Sequence, residues 1–316
     1  ALLPELGQGQ TLIGLIDPLN NLAMAQKLAD QGVTAVAFEM LPRTISRAQA
    51  MDALSSQSNA AGYRAAIVAA EAFGRYLPMM ITASGTAVPA KVIVIGTGVA
   101  GLQAIATVMR LGAVVTGYDV RSASRGEVES LGAEFLTPTV SDGDGGGTGG
   151  YARAMSAEEQ KAQQAELAES LSTFDVIITT AKVPGHTPPL LVSEQTLTKL
   201  RPGSVCIDLG SSDKGGNVAG SVEGEKTVTA GGVTVVGAGE LASQLPTSAS
   251  QMYGRNVTAV LASLFPAAEL VIDPADEIHQ NIVVSHGGEV TNPKVREALK
   301  LDPLHRQGAL VQVSAA

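Results

Sequence analysis

Apolar residues recur along this chain in two rhythms. Short β-branched runs alternate with longer stretches whose apolar positions fall three and four apart, the pattern of strands interleaved with helices. Thr11 to Ile16 predicts a strand that stops at Asp17-Pro18, Leu22 to Gln31 an amphipathic helix closing at Gly32, and Val33 to Phe38 a second strand. Leu41 to Phe73 begins as a loop and becomes a long alanine-rich helix. Pro78 and Pro89 break the region after it.

The stretch from Lys91 to Asp119 carries the most information: KVIVIGTGVAGLQAIATVMRLGAVVTGYD. An apolar run, Val92 to Ile95, enters GTGVAG, a helical pattern follows to Gly112, and a second apolar run ends in Asp119. A glycine triplet alone is weak evidence. Flanked by a strand and a helix, with an acid about 20 residues on, it is a dinucleotide-binding fingerprint. Gly96 permits the turn, Gly98 lets the backbone approach a pyrophosphate, and Gly101 allows the helix to sit close to the sheet. The helix N-terminus, with Val99 and Ala100, offers unpaired N–H groups to phosphate. Asp119 suits the hydroxyls of an adenosine ribose and repels a 2′-phosphate, which selects NAD(H). Arg121, beyond Val120, is placed where an arginine accommodates the phosphate of NADP in other such sites.

Downstream, Gly126 to Leu131 reads as helix and Glu134 to Leu136 as a short strand. Ser141 to Gly150, SDGDGGGTGG, cannot hold regular structure and reads as a mobile loop. Met155 to Ser172 is a polar helix and Val176 to Thr180 a buried strand. A helix closes at Thr196 to Leu200, strands follow at Val205 to Leu209 and Val233 to Val236, a long helix spans Ser248 to Leu264, and the tail from Leu270 is mixed. The expected class is α/β, two Rossmann-like lobes with a doubly wound parallel sheet. The expected boundaries are 1–56 for part of a first lobe, 57–244 for the nucleotide domain, and 245–316 for a returning helix and tail that complete the first lobe. The two long helices are expected to bridge the lobes. Ligands in such sheets lie beyond the carboxyl ends of the strands. Three loops should therefore share one crevice: Gly96 to Gly101, Thr180 to Gly185, and Gly210 to Gly216. Thr180, Ala181, Asp208 and Leu209 join the candidate contacts.

Charge and composition narrow the function. Thirty acidic residues against 21 basic ones leave a net charge of −9, and tryptophan is absent, which argues against nucleic acid. The single cysteine, Cys206, lies in an apolar run and reads as an inert buried thiol. His186, His279, His286 and His305 form no metal-ligand spacing, so no metal is expected. No apolar run is long enough for a membrane helix, and ALLPELGQGQ lacks the basic start of a signal peptide.

A second informative segment is Pro42 to Ser58, PRTISRAQAMDALSSQS. One reading is a solvated loop capping a helix through Asp52 or Ser55. The other is a ring-binding loop, because its amide, hydroxyl and carboxylate groups suit a carboxamide. With GTGVAGLQAIAT, SLGAEF, GGYARAM, TTAKVPG and GSVCIDLG following in order, the chain resembles the NAD(H)-binding component, domain I, of proton-translocating NAD(P) transhydrogenase, a relative of alanine dehydrogenase. The resemblance runs from about Thr11 to Phe265, and its most specific part is the pattern around RAQAMDALSSQSNAAGYRA.

The resemblance implies that Arg43, Gln49 and Asp52 place a dihydronicotinamide for transfer and that Ser55 binds its carboxamide. It implies that Gly150 and Tyr151 belong to a loop closing over NAD(H), and that Asp119 holds the adenosine ribose. Three departures stand out. PRTISR has one residue more than the family pattern, leaving Arg43 and Arg47 both available for the family's arginine. GSSDKGGN replaces an alanine- and glutamate-containing stretch. The first lobe also lacks an N-terminal segment, and no membrane part is fused. Hydride transfer from NADH to NADP⁺ on a partner is thus the leading expectation, within a complex that includes NADP(H)-binding and membrane-spanning subunits. This chain would be a homodimer held peripherally on the cytoplasmic side of the inner membrane. An alanine-dehydrogenase-like amino-acid oxidoreductase and a non-catalytic NAD-sensing module are the alternatives. The first needs an acid/base that Pro42 to Ser58, free of His and Lys, does not supply.

Overall fold

The computed structural model describes residues 5–137, 155–182 and 187–304. Strand β1 (Thr11–Gly14), helix α1 (Leu22–Asp30) and strand β2 (Thr34–Ala37) come first. The Asn21 side chain accepts the Met24 N–H at the start of α1, and Gly32 takes a φ of 68° just past its end. A 3₁₀ segment, Ser46–Met51, leads into α2 (Ala53–Ala72). A hairpin follows, β3 (Met80–Thr82) and β4 (Gly85–Ala87), in the region where Pro78 and Pro89 predicted only a break.

The nucleotide-type region then runs β5 (Lys91–Ile95), α3 (Val99–Arg110), β6 (Val114–Tyr118), α4 (Ser124–Ser130), β7 (Glu134–Phe135), α5 (Ala157–Leu171), β8 (Val176–Thr179), α6 (Glu194–Lys199), β9 (Val205–Asp208), β10 (Lys226–Val228) and β11 (Thr234–Gly237). Last come α7 (Pro246–Leu264), α8 (Glu277–Ile282), β12 (Val283–His286), β13 (Glu289–Val290) and α9 (Pro293–Ala298).

Two compact units result, Gln57–Ala249 and the combination of Ala1–Ser56 with Ser250–Ala316. The division falls inside α2 and inside α7. In the unit of residues 57–249 the strand order is β10-β11-β9-β8-β5-β6-β7. Every pair is parallel except β10 with β11. From β5 the chain winds outward through β6 and β7, then returns to build β8, β9 and β11 on the other side. The order reverses between β5 and β8, which is where such sheets take ligands.

Strand alternation builds two cores in this unit. Val92, Val94, Val176 and Ile178 face a cluster with Ala65, Phe73 and Ile105, while Ile93, Ile95, Ile177 and Cys206 face one with Leu167, Leu171 and Leu197. A strand buried on both faces must be apolar throughout, hence the unbroken runs.

The other unit has a four-stranded sheet, β1-β2-β12-β13. Only β1 and β2 are parallel, so the expectation of a parallel first lobe is corrected to a mixed sheet. The reason is local. α8 passes directly into β12 with no crossover, and Gly287-Gly288, at φ of 60° and 88°, closes a two-residue hairpin to β13. Phe38, Met51, Val260, Leu264 and Ile278 form one core here, and Leu28, Val33, Ala35, Val284 and Val295 another.

A close approach ties α2 to α3. A Cβ at Gly62 would collide with the Ala100 carbonyl oxygen on the first turn of α3. Gly62→Ala is expected to destabilise the protein by about 1–3 kcal/mol, because backbone rather than a pliable side chain must move. A denaturant midpoint equal to that of the unmutated protein would show that α2 tolerates the methyl group.

Candidate functional site

The turn after β5 has the three properties a phosphate cradle needs. Gly96 adopts a φ of 90°, a region closed to most side chains. A Cβ at Gly101 would strike the Gly96 carbonyl oxygen, so the first turn of α3 lies directly against the strand end. Around Gly98 a Cβ would meet nothing within 4 Å, leaving room for a ligand to reach the backbone. Gly98 caps α3 without any side-chain hydrogen bond, and Val99, Ala100 and Gly101 form its first turn. These residues fit a pyrophosphate.

Asp119, at the end of β6, is 6% exposed. Its carboxylate accepts the Thr97 N–H at 2.8 Å, the Arg121 N–H at 2.9 Å, and a fork from the Arg121 guanidinium at 2.9 and 2.8 Å. Burial pushes this carboxyl up, but the hydrogen bonds from Arg121 and Thr97 outweigh it and hold the group below its ordinary value. Arg121 is thus committed to Asp119, and Val120 is half-buried between them.

The ends of β8 and β9 are drawn to the same turn. The Thr180 hydroxyl donates to the Gly96 carbonyl at 2.8 Å. Ala181 is held through both of its backbone groups by Asn217, whose Oδ1 accepts the Ala181 N–H at 3.1 Å and whose Nδ2 donates to the Ala181 carbonyl at 2.9 Å. Asp208, expected among the cofactor contacts, is fully enclosed. Its carboxylate accepts the Gly210 and Val218 N–H groups at 2.8 and 3.0 Å and the Thr179 hydroxyl at 3.2 Å, so it braces the loop after β9. Burial raises its carboxyl above the ordinary value. Leu209 is buried too. Cys206 is fully buried and free, its thiol pushed up to about 12 by burial, as its apolar run predicts.

In the other unit, Arg43, Asp52 and Ser55 form one network. Arg43 Nε donates to Asp52 Oδ2 at 2.9 Å, and a terminal guanidinium nitrogen donates to Ser55 Oγ at 2.7 Å. Ser55 donates its N–H and hydroxyl to Asp52 at 2.8 and 2.6 Å. The first of these bonds is a helix cap on α2, so the structural reading of this segment is satisfied by the same carboxylate that holds Arg43. Arg47 turns elsewhere. It makes a paired contact with Asp276, one bond at 2.8 Å, and lowers that carboxyl to about 2. Of the two arginines, Arg43 is therefore the one joined to Asp52 and Ser55. Gln49 is exposed on the 3₁₀ segment, whose neighbouring Ala50 carbonyl is held by Asn256 Nδ2 at 2.9 Å.

Gly150, Tyr151 and the glycine-rich Ser141 to Gly150 lie outside the described residues, as does Gly185 at the end of the second loop. Sequence reasoning missed Thr97 and Asn217. The first is the variable position inside the glycine triplet, and the second ends GGN, a sequence that also fits an ordinary turn. Among the described residues, no helix is long and apolar enough to cross a membrane.

The native Asp119 carboxyl lies below its unfolded value, so the stability it contributes is complete at neutral pH. That stability is lost as pH falls below about 4, through the lowered native value. Asp119→Asn should flatten this part of the acid limb in urea melts collected across that range. An unchanged acid limb would mean that Arg121 and Thr97 do not stabilise the charged form.

A family model described as alanine dehydrogenase/PNT, C-terminal domain, matches residues 65–293, and its N-terminal-domain counterpart matches residues 2–61. The chain is 41% identical to the first portion of NAD(P) transhydrogenase subunit alpha in Rickettsia prowazekii over 290 residues, 92% of this chain and 74% of that protein. It is 42% identical to NAD(P) transhydrogenase subunit alpha of Cereibacter sphaeroides over 292 residues, 92% of this chain and 55% of that protein. The solved transhydrogenase structure from Sinorhizobium meliloti superposes with a TM-score of 0.78 at 41% identity, covering 91% of this chain and 77% of that chain.

Proposed function

The chain belongs to the alanine dehydrogenase/PNT family, and from that premise we propose that it is the NAD(H)-binding component of a proton-translocating NAD(P) transhydrogenase. It passes hydride to NADP⁺ held on a partner subunit and is coupled to proton movement through a separate membrane-spanning subunit. In that complex the chain sits peripherally on the cytoplasmic side of the membrane. The nicotinamide supplies the hydride chemistry. The protein's own residues bind, orient and exclude water.

In the unit of residues 57–249, backbone N–H groups at Gly98 to Gly101 hold the pyrophosphate across the turn that Gly96 makes. Asp119 accepts hydrogen bonds from the adenosine ribose. With Arg121 folded onto it, the Asp119 carboxylate has its charge compensated and its position fixed before any ligand arrives. Thr180 and Ala181 line the crevice, while Asp208 and Leu209 act through the loop they support. Gly150 and Tyr151 belong to the segment that covers bound nucleotide.

In the other unit, Asp52 fixes Arg43 and Ser55, and Ser55 takes the carboxamide of the ring. Gln49 orients the ring for transfer. The observation favouring ring-to-ring transfer over amino-acid oxidation is the chemistry of this segment. Arg43, Gln49, Asp52 and Ser55 are orienting groups, and the carboxylate is already engaged by Arg43 and Ser55 rather than available as a base. Direct hydride transfer needs aligned rings and excluded water but no proton donor. Oxidation of an amine needs an acid/base. Exchange between NADH and an NADP analogue in the presence of the partner subunits tests the reading. Alanine-dependent NADH formation would replace it with the amino-acid oxidoreductase, and nucleotide binding without either reaction would leave a sensing module.

NAD(H) is expected to bind far more tightly than NADP(H), with Asp119→Ser narrowing the gap in parallel titrations. Equal affinities in the unmutated protein would remove Asp119 from the ribose site.

Gln49→Ala is expected to slow single-turnover transfer by on the order of a hundredfold, the scale of a misplacement of about 1 Å, while NADH affinity stays near its original value. Transfer at the original rate would reduce Gln49 to an ordinary loop residue.

A further inference from the structure

The β3–β4 hairpin is anchored at its base and bare along its length. At the base, Leu77 is buried in the core and its carbonyl accepts the Ala90 N–H at 2.9 Å. Pro78 lies so close to Gly112 that a Cβ there would overlap it. Beyond that clasp both faces are open. Successive strand residues point to opposite sides, yet Met80 is 38% exposed and Ile81 is 77% exposed. Tyr76, Met79 and Val88 extend the patch at 58%, 57% and 77% exposure. Among the described strands, β3 and β4 pair only with each other, so each keeps an open outer edge.

A two-stranded hairpin with no covered face is marginal in water. Its sequence also omits the usual protections of an open edge, since Tyr76 to Ala90 contains no Asp, Glu, Lys, Arg or His. In a chain of net charge −9, this uncharged stretch is where two like molecules can meet without repulsion. The geometry suits a two-fold axis as well, because an edge strand related to its copy by such an axis runs antiparallel to it. Five large apolar side chains at on the order of 100 Å² each give about 500 Å² per copy. Two copies then reach the roughly 1,000 Å² that a specific interface requires.

We propose that the β3–β4 hairpin is the surface through which two copies of this chain associate about a two-fold axis, each hairpin covering its counterpart. This does not depend on the transhydrogenase reading and stands or falls separately from it. Sedimentation equilibrium of the full chain at micromolar concentration should give a dimer. Ile81→Glu combined with Val88→Glu should raise its dissociation constant by at least about a hundredfold while NADH affinity is retained. An unmutated chain that is monomeric at about 100 μM, or a double variant that dimerises equally well, overturns the proposal. If the variant does not fold, hydrogen exchange of the unmutated chain decides. Amides of Met80 to Ala87 should exchange more slowly as concentration rises, and exchange independent of concentration overturns it.

Discussion

The nucleotide-type unit depends on the contact between the start of α3 and the end of β5. With no side chain at Gly101, the helix comes down onto the Gly96 carbonyl oxygen and its first N–H groups stand at the carboxyl edge of the sheet. A methyl group there would force the helix away, and the partial charge at its N-terminus would fall off where it is needed. Gly62 repeats the device from the other side, letting α2 reach the Ala100 carbonyl. Three consecutive elements are thus fixed relative to one turn by the absence of side chains.

Carboxylates do the complementary work. Asp119 joins the β5 turn to the end of β6 through Thr97 and Arg121, and Asp208 gathers the loop after β9 onto the end of β8. Asp52 caps α2 while holding Arg43 and Ser55. In each case a buried or half-buried acid is satisfied by backbone N–H groups and neighbouring side chains. That satisfaction allows charge at a loop without loss of order. It also merges two readings of Asp52, helix cap and member of a ring-binding loop, into one arrangement.

Much of the fold could be read in advance where one physical rule acted alone. The runs at Val92 to Ile95, Val176 to Thr179 and Val205 to Asp208 are apolar on both faces, and the glycine fingerprint between a strand and a helix has few other uses. The hairpins were less legible. MITASGTA is short, mixed in polarity and lies between prolines, and SHGGEV was absorbed into a tail described only as mixed. β10 is three exposed residues with no periodicity to detect. In the candidate site, Asp119 and the glycines had a signature. Asn217 had none, because its partners Ala181 and Pro189 lie 36 and 28 residues away.

The order of residues alone determined the alternation of strands and helices, the phosphate turn, the acid at the end of β6 and the family resemblance. Each rests on near neighbours, where spacing translates directly into geometry. Tertiary structure decided what spacing cannot reach. It set the mixed pairing of the β1-β2-β12-β13 sheet, whose strands come from opposite ends of the chain. It placed Arg43 on Asp52 and sent Arg47 to Asp276, 229 residues away. It turned Asp208 inward as a brace, and it left the uncharged β3–β4 hairpin exposed. Those outcomes depend on which distant groups arrive to satisfy a charge or cover an apolar face, and that is settled only when the chain has folded.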